Sequence, residues 1–237
     1  MKRILLKLSG EALAKRDEKG KVVEMYDVPF VEKVARVLKK CADDGYQLAV
    51  VVGAGNIWRG RAGGDMDRTD ADRMGMLATV MNAICLKDTI LRVGGDAVVM
   101  AAVDMYPFAE HYSADAAKAA LDSGKIVIFG AGLGIPFLST DTAGAVRGAE
   151  ISADAMLMAK NIDYIYTADP KKDANAKPLV NVKASEVLAM NLGAIDATAT
   201  AFCLSVGMPI RVFGLKEPED IYRAVCGEVV GTIITAE

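Results

Sequence analysis

The chain has 237 residues, of which 52% are hydrophobic and 25% are charged. This length and composition allow a large buried core, and they exclude the disordered, collagen-like and low-complexity classes. The 28 basic and 31 acidic residues give a net charge of −3 without a long block of one sign, so we expect small-molecule chemistry and no binding of nucleic acid or of an anionic membrane.

The amino-terminal apolar run is too short for a signal peptide or a membrane span. Lys7 interrupts the run, and Glu11, Lys15 and Arg16 follow it. Four cysteines lie far apart without a C-x-x-C pair, namely Cys41, Cys85, Cys203 and Cys226. We therefore predict a reduced, cytoplasmic protein whose thiols pack in the core.

Apolar runs alternate with helical periodicity along almost the whole chain. This alternation predicts parallel strands that are covered by helices on both faces. The predicted strands are residues 4–6, 48–52, 97–103, 125–130, 155–158, 164–167, 209–213 and 232–235. The predicted helices are residues 30–44, 72–91, 113–123, 142–150, 184–190, 194–205 and 217–226. Neither a repeat nor a Pro/Ser-rich linker divides the chain, so we treat residues 1–237 as a single domain.

The predicted helix 72–91 is apolar over more of its surface than one core-facing stripe requires. Its apolar residues are Met74, Met76, Leu77, Val80, Met81, Ile84 and Leu91. A helix on the surface of a monomer needs only one buried stripe, so the second apolar face predicts an interface between subunits.

Three predicted strands end in glycine-rich loops, at the edge where a parallel sheet collects its ligands. The first loop is Lys7-Leu8-Ser9-Gly10, and the second is Gly53-Ala54-Gly55-Asn56, which Arg59 follows. Backbone N–H groups combined with a lysine or an arginine suit phosphate oxygens. Taken alone, Lys7 is better explained as a strand-end lysine that reaches solvent, and the second loop is as well explained as an ordinary turn.

The third loop runs from Gly130 to Pro136 and precedes Ser139-Thr140-Asp141-Thr142. Its G-x-G-x-G pattern departs from the dinucleotide fingerprint G-x-G-x-x-G, which makes a NAD-dependent oxidoreductase a weaker alternative. Asp141 has an alternative role as a helix N-cap. The sequence contains no P-loop, H-R-D or D-F-G motif. Its one histidine, His111, offers neither a zinc site nor a catalytic triad and is expected at the surface.

Six motifs follow one another along almost the whole chain: KLSGEAL at 7–13, GAGNIWRG at 53–60, DRMGMLAT at 72–79, PFLSTD at 136–141, YTADP at 166–170 and PIRVF at 209–213. Together they resemble the bacterial uridylate (UMP) kinase family of the amino acid kinase superfamily. The resemblance implies a three-layer αβα fold with a mainly parallel sheet, and transfer of the ATP γ-phosphoryl group to UMP in pyrimidine nucleotide biosynthesis. It also implies a requirement for Mg²⁺ and a homohexamer built as a trimer of dimers. The N-terminal part of the domain would hold mainly UMP, and the C-terminal part mainly ATP.

The resemblance further implies which residues bind each nucleotide. For ATP these are Lys7, Leu8, Ser9, Gly10, Gly55, Arg59, Asn161, Tyr166 and Asp169, with Lys160 as the competing assignment for Asn161. For UMP these are Ala54, Asp72, Leu133, Gly134, Ile135, Pro136, Phe137, Leu138, Ser139 and Thr140. The chain departs from the family at Ala54, where glycine is usual, and at Leu133 and Ile135, where polar residues often face the uracil. Residues 14–22 also lack the glycine-rich segment that is linked to GTP activation in some members.

Phosphoryl transfer requires alignment of donor and acceptor and neutralisation of charge on the moving group. Lys7 and Arg59 are the predicted catalytic cations, and Asp141 and Asp196 are predicted to orient Lys7 or to organise Mg²⁺. No dedicated metal site is predicted, and no general base is required because the UMP phosphate is itself the nucleophile. The remaining alternatives are a superfamily member that phosphorylates a carboxylate or carbamate, and a non-catalytic nucleotide sensor.

Overall fold

A computed structural model describes residues 2–58, 64–170, 172–173, 175–190 and 195–236. The strands are β1 (Arg3–Leu8), β2 (Lys15–Arg16), β3 (Val22–Glu24), β4 (Gln47–Val52), β5 (Ala97–Ala101), β6 (Glu110–His111), β7 (Ile126–Gly130), β8 (Ala155–Lys160), β9 (Ile165–Tyr166), β10 (Pro178–Leu179), β11 (Asn181–Lys183), β12 (Ile210–Gly214) and β13 (Thr232–Thr235). The helices are α1 (Val28–Asp43), α2 (Arg68–Arg92), α3 (Ala114–Asp122), α4 (Thr140–Glu150), α5 (Ala184–Met190), α6 (Ala197–Ser205) and α7 (Glu219–Val225). A 3₁₀ turn spans Gly10–Leu13.

The main sheet has nine strands in the order β11-β13-β12-β8-β1-β4-β7-β5-β6. Neighbouring strands pair in parallel, except for β12 and β13, which are antiparallel. In the centre of the sheet, Leu6 of β1 lies between Val50 of β4 and Leu157 of β8. The hairpins β2–β3 and β9–β10 form two separate small sheets. The expected α/β fold with a mainly parallel sheet is confirmed.

The central strands are buried on both faces, which explains their continuous apolar sequence. In β1, Ile4, Leu6 and Leu8 pack in one core cluster with residues of α1, α2 and α7. Leu5 faces the other side and packs in a second cluster with residues of α3, α4, α5 and α6. The sheet is therefore the middle layer of three, as the αβα prediction requires.

Capping residues explain why two helices begin earlier than predicted. α2 begins at Arg68 because the Asp67 carboxylate accepts the N–H groups of Thr69 and Asp70 at 2.9 and 3.3 Å. α4 begins at Thr140 because Ser139 is its N-cap. The predicted strand 164–167 is reduced to β9 and pairs with β10 instead of joining the main sheet.

All four cysteines lie in the described part of the chain and are free thiols. Cys41 and Cys203 are buried, and burial raises the pKa of each thiol to about 12. Cys226 is exposed because it caps the carboxyl end of α7, so the prediction that the thiols pack in the core is wrong for this residue. His111 is exposed, as predicted, and its Nδ1 lies 2.7 Å from Asp104 Oδ1.

Among the described helices, α2 is the one that is long and apolar enough to cross a membrane by length and composition. Core helices of soluble proteins share these properties, and α2 packs against α1, β5 and β7. Its outer face carries the second apolar stripe that the sequence predicts. The exposed apolar residues of this stripe are Met74, Leu77, Met81, Ile84 and Leu91.

Candidate active site

The carboxyl ends of β8, β1, β4 and β7 lie side by side and bring the glycine-rich loops together. Gly10 lies against the loop after β4, and a Cβ on Gly10 would lie 2.3 Å from the Gly53 carbonyl oxygen. A Cβ on Gly55 would lie 2.7 Å from Cγ of Glu11. Gly10 therefore requires glycine because the two loops approach each other so closely, whereas a side chain at Gly55 would have to displace that of Glu11.

Lys7 belongs to a buried cluster of charges at the centre of this edge. Its Nζ lies 2.9 Å from Asp141 Oδ1, and Lys160 Nζ lies 2.8 Å from Asp141 Oδ2. The side chains of Lys7, Asp141 and Lys160 are 10%, 11% and 15% exposed. The alternative in which Lys7 reaches solvent is therefore wrong, since its ammonium is buried against a carboxylate.

Asp141 lies in the first turn of α4 and balances the charge of two lysines. Burial alone would raise the pKa of its carboxyl, but the charges of Lys7 and Lys160 hold that pKa below its usual range. Burial, followed by the charge of the neighbouring Lys7, lowers the pKa of the Lys160 ammonium, although Asp141 acts to raise it. The N-cap alternative for Asp141 is wrong, because the cap is Ser139, whose Oγ accepts the N–H of Thr142 at 3.1 Å.

Asp196 has a different set of partners. Its Oδ1 accepts the N–H of Thr198 at 2.8 Å and so caps α6. Its Oδ2 accepts hydrogen bonds from the hydroxyls of Ser139 and Thr142. Among the described ion pairs, the partner of Lys7 is Asp141 and not Asp196. Asp196 therefore joins the amino-terminal ends of α4 and α6.

A cavity of about 570 Å³, the central cavity, opens beside the charged cluster. Its lining residues are Arg68, Asp72, Phe137, Leu138, Ser139, Asp141, Lys160, Ile195, Asp196 and Ala197. Asp141 and Lys160 face this space, and Lys7 lies behind Asp141. The Lys160 ammonium thus lies next to a cavity large enough for a ligand.

A small cavity of about 120 Å³ adjoins the central cavity, and Asp72, Leu138 and Ser139 line both. Its other lining residues are Ala54, Gly75, Met76, Thr79, Ala131, Gly132, Leu133, Ile135 and Thr140. Gly134 and Pro136 lie between these residues in the same loop. The structure therefore gathers most of the residues predicted for UMP around two connected cavities.

Asp72 holds one end of this loop against α2. Its Oδ2 accepts the N–H of Phe137 at 2.8 Å and Nε of Arg68 at 2.9 Å. Asp72 is buried to a large extent and lies inside α2, beyond the cap at Asp67. Asp72 is therefore neither a helix cap nor a surface acid.

Two more polar residues of α2 hold the glycine-rich loops, and the sequence analysis missed both as functional residues. Asn82 is fully buried, and its Nδ2 donates to the Gly53 carbonyl at 2.7 Å. Thr79 Oγ1 accepts the N–H of Ala131 at 2.9 Å. The signal that would have found them is a polar side chain within an otherwise apolar helical stretch, because buried polar groups require hydrogen-bond partners.

A third cavity of about 540 Å³, the hairpin cavity, lies between the β2–β3 hairpin and the end of β8. Its lining residues are Ser9, Glu11, Ala12, Ala14, Arg16, Gly20, Asp27, Phe30, Lys160, Asn161 and Leu215. Lys160 therefore lines both the hairpin cavity and the central cavity. Ser9 and Asn161, both predicted for ATP, line this cavity together with Lys160, the competing assignment for Asn161.

The other residues predicted for ATP are more dispersed. The Leu8 side chain lies in the core, so only its main chain is available to a ligand. Tyr166 is half-buried in β9, and Asp169 is exposed in the loop that follows. Arg59, the predicted second cation, lies outside the described residues.

The described residues contain no group of three His, Cys, Asp or Glu side chains that could hold a metal ion. Both oxygens of Asp141 contact lysine ammonium groups, and Asp196 accepts hydrogen bonds from two hydroxyls. Mg²⁺ prefers oxygen ligands and keeps few of them from protein when phosphates are present. The donor set here therefore fits a magnesium ion that arrives bound to phosphates rather than one held in a protein cage.

Comparison with known proteins places the chain in a family. A model of the amino acid kinase family matches residues 2–214. The crystal structure of UMP kinase from Bacillus anthracis is similar with a TM-score of 0.92 and 34% identity, over 100% of this chain and 96% of that chain. The crystal structure of UMP kinase from Ureaplasma parvum is similar with a TM-score of 0.91 and 32% identity, over 99% of this chain and 98% of that chain. The crystal structure of uridylate kinase from Archaeoglobus fulgidus is similar with a TM-score of 0.74 and 26% identity, over 99% of this chain and 100% of that chain. The chain belongs to the amino acid kinase family.

Proposed function

We propose that the chain is a uridylate kinase, which transfers the γ-phosphoryl group of ATP to UMP and releases ADP and UDP. The observation that carries this proposal is a row of three adjoining cavities beside the buried charges of Lys7, Asp141 and Lys160. Asp72, Leu138 and Ser139 join the small cavity to the central cavity, and Lys160 joins the central cavity to the hairpin cavity. The full-length likeness to two UMP kinases supports the choice of acceptor.

The acceptor supplies its own nucleophile in this reaction. An oxygen of the UMP phosphate attacks the γ-phosphorus of ATP, the bond to the β–γ bridging oxygen breaks, and ADP leaves with the bonding electrons. The protein has to align the two nucleotides and offset the charge on the transferred group. Lys160 faces both larger cavities, Lys7 lies beside it across Asp141, and Arg59 is the third cation we assign to this task.

Asp141 is the positioning residue of this arrangement. It fixes both ammonium groups, yet the cluster of two lysines and one carboxylate keeps a net positive charge. That remaining charge is available to phosphate oxygens in the central cavity. Asp196 positions Ser139, and through it the amino-terminal end of α4.

UMP places its base and ribose in the small cavity and its phosphate in the central cavity. Asp72 accepts hydrogen bonds from the ribose hydroxyls, while Ala54 and residues 133–140 surround the base and phosphate. The side chains of Leu133 and Ile135 carry no hydrogen-bonding atoms, so recognition of the base falls to main-chain groups of the loop and to the hydroxyls of Ser139 and Thr140.

ATP takes the hairpin cavity and extends its phosphates towards Lys160. Ser9, Gly10 and Gly55, with the main chain of Leu8, meet the phosphates, while Asn161, Tyr166 and Asp169 meet the nucleoside. When bound together with ATP, Mg²⁺ would supply positive charge at the phosphates.

The exposed stripe of α2 supports a subunit interface, and we propose a cytoplasmic homohexamer built as a trimer of dimers. Each subunit works as one domain in pyrimidine nucleotide biosynthesis, with the UMP residues mainly in its N-terminal part. Neither nucleic acid nor a membrane is a partner, which the net charge of −3 supports.

An acceptor panel tests the proposal. The protein is incubated with ATP, Mg²⁺ and one acceptor at a time, namely UMP, CMP, dUMP, N-acetylglutamate or carbamate, and the release of ADP is measured. Binding of NADH is followed separately by fluorescence. We expect UMP to be the best acceptor. A faster reaction with a carboxylate or carbamate would assign the chain to another branch of the family, and NADH binding without any transfer would support an oxidoreductase.

A further inference from the structure

Thr79 is a buried residue of α2 that lines the small cavity on its α2 side. It is 4% exposed, and its hydroxyl donates to the Met76 carbonyl at 2.7 Å. The same oxygen accepts the N–H of Ala131 at 2.9 Å. The Thr79 hydroxyl thus links α2 to the first residue after β7.

Ala131 has a backbone conformation that an alanine rarely adopts. Its φ is +60°, in the left-handed region, and its side chain is buried. The N–H that Thr79 accepts belongs to this residue, and the Ala131 carbonyl accepts the N–H of Gly134 at 2.9 Å to form the next turn. A hydrogen bond at a residue in a costly conformation helps to hold it there.

The loop that starts at Ala131 is attached to α2 at both ends. Thr79 holds its beginning, and Asp72 holds its far part through the N–H of Phe137 at 2.8 Å. Between these attachments, Leu133 and Ile135 line the small cavity. The shape of the cavity therefore depends on two hydrogen bonds from one helix.

We propose that Thr79 is a positioning residue for the acceptor nucleotide, which acts by fixing Ala131 and with it the wall of the small cavity. This inference rests on the proposed function, since the small cavity is where we place UMP. Loss of the hydroxyl leaves the buried N–H of Ala131 without this acceptor, and the loop relaxes to recover a partner. Binding of UMP weakens as a result, whereas the hairpin cavity is unchanged.

The chain offers a matched control at Thr89. This residue lies in the same helix, is 1% exposed, and its hydroxyl also donates to a carbonyl of the preceding turn, that of Cys85, at 2.8 Å. Its other described partner is Arg92 of the same helix, and not a loop of the site. Thr79→Val and Thr89→Val therefore remove equivalent hydroxyls, and only the first faces the acceptor loop.

The experiment compares KM for UMP, KM for ATP, melting temperature, and calorimetric binding of UMP without ATP. We expect Thr79→Val to raise KM and Kd for UMP by about tenfold and to leave KM for ATP unchanged. Thr79→Ser is expected to restore the wild-type KM and Kd for UMP. Thr89→Val is expected to leave KM and Kd for UMP at their wild-type values. If Thr79→Val does not fold, Thr79→Ala removes the same hydroxyl and takes its place.

Equal UMP affinity in the Thr79→Val and Thr89→Val variants, with similar losses of melting temperature, would overturn the inference and leave Thr79 a structural role. An equal rise in KM for UMP and ATP would overturn it too. Failure of the wild-type protein to bind or phosphorylate UMP would instead refute the proposed function, so the two failures are distinguishable.

Discussion

Lys7 and Lys160 contact opposite oxygens of one carboxylate, that of Asp141, at 2.9 and 2.8 Å. The two lysines come from adjacent parallel strands, β1 and β8, and Asp141 comes from the helix α4 that packs on them. Two like charges this close in a buried site would repel each other strongly without the carboxylate between them. The cluster concentrates positive charge next to the cavity where we place the transferred phosphoryl group.

Removal of the Lys7 ammonium tests whether this charge serves catalysis. Lys7→Met keeps the aliphatic stem, and Asp141 keeps Lys160 as a partner. We expect kcat to fall by about 10²–10³, the scale for losing one preorganised electrostatic contact, with little change in KM for UMP. Lys125→Met is the control. Lys125 is half-exposed and lies just before β7, at the amino-terminal ends of the strands and away from the site. A kcat within about threefold of the wild type would remove Lys7 from the catalytic residues.

Asp141 predicts how stability depends on pH. Burial alone would raise the pKa of its carboxyl, but Lys7 and Lys160 hold the pKa below the ordinary value of 3.8. A lowered folded-state pKa stabilises the fold above the unfolded-state value, and this contribution is lost as the pH falls through the folded-state pKa. We expect Asp141→Asn to lower the free energy of unfolding by about 3 kcal/mol near neutral pH, because two buried ammonium groups lose their partner.

Urea titrations of both proteins from neutral pH down to about pH 3 measure this difference. The difference in unfolding free energy between the wild type and Asp141→Asn is expected to narrow at the acid end, where the carboxyl of the unfolded wild-type chain takes up its proton before that of the folded chain does. A difference in unfolding free energy that stays constant over this pH range would show that the Asp141 charge does not contribute to stability.

Asp72 separates acceptor binding from donor binding. Asp72→Asn keeps an oxygen for the N–H of Phe137 but removes the charge that we assign to the ribose hydroxyls. We expect KM for UMP to rise by about tenfold or more and KM for ATP to stay near the wild-type value, as for a lost charged acceptor. Asp70→Asn is the control, since Asp70 lies in the same helix, is exposed and pairs with Arg73. An unchanged KM for UMP would leave Asp72 only its contacts within the loop.

The outer stripe of α2 predicts the state of assembly. Leu77 and Met81 are 53% and 48% exposed, so a glutamate at either position is tolerated by an isolated subunit and not by an apolar interface. Light scattering is expected to show a multimer of the 25.1 kDa chain for the wild type and a smaller species for Leu77→Glu. Val229→Glu, at an exposed apolar residue in a different part of the chain, is expected to leave the multimer intact. A wild-type monomer at micromolar concentration would refute the interface.

The sequence predicted the site best where chemistry and position coincide at a strand end. Lys7 could be placed at the carboxyl end of a buried strand, because apolar residues precede it and Ser9-Gly10 follow. Asp141 and Asp196 were both predicted to orient Lys7, and spacing could not distinguish between them because both lie far along the chain from Lys7. Spacing could not reveal the role of Lys160 in the cluster either, since β8 lies beside β1 only through the strand order of the sheet. The motifs of the family resemblance indicated Asp72, but its bond to Phe137 depends on how α2 packs against the loop.

Short strands and buried polar side chains were the features that the sequence did not reveal. β2, β6 and β10 have two residues each, too few to show a period of two, and they form because neighbouring strands offer hydrogen bonds. Thr79 and Asn82 occur in a stretch that is apolar around most of the helix, where periodicity alone does not distinguish a wall of the site from the core. Cys226 was misplaced for a related reason, since its exposure depends on where α7 ends.

The most direct measurement follows the transferred phosphoryl group itself. ATP labelled at the γ-phosphorus is incubated with the protein, Mg²⁺ and UMP, and the labelled products are separated for the wild type, Lys7→Met and Lys125→Met. We predict that the label appears in UDP, only when UMP is present, and that Lys7→Met slows its appearance by about 10²–10³ whereas Lys125→Met does not. Label released as inorganic phosphate regardless of UMP, or transferred to UMP equally fast by Lys7→Met, would contradict the account.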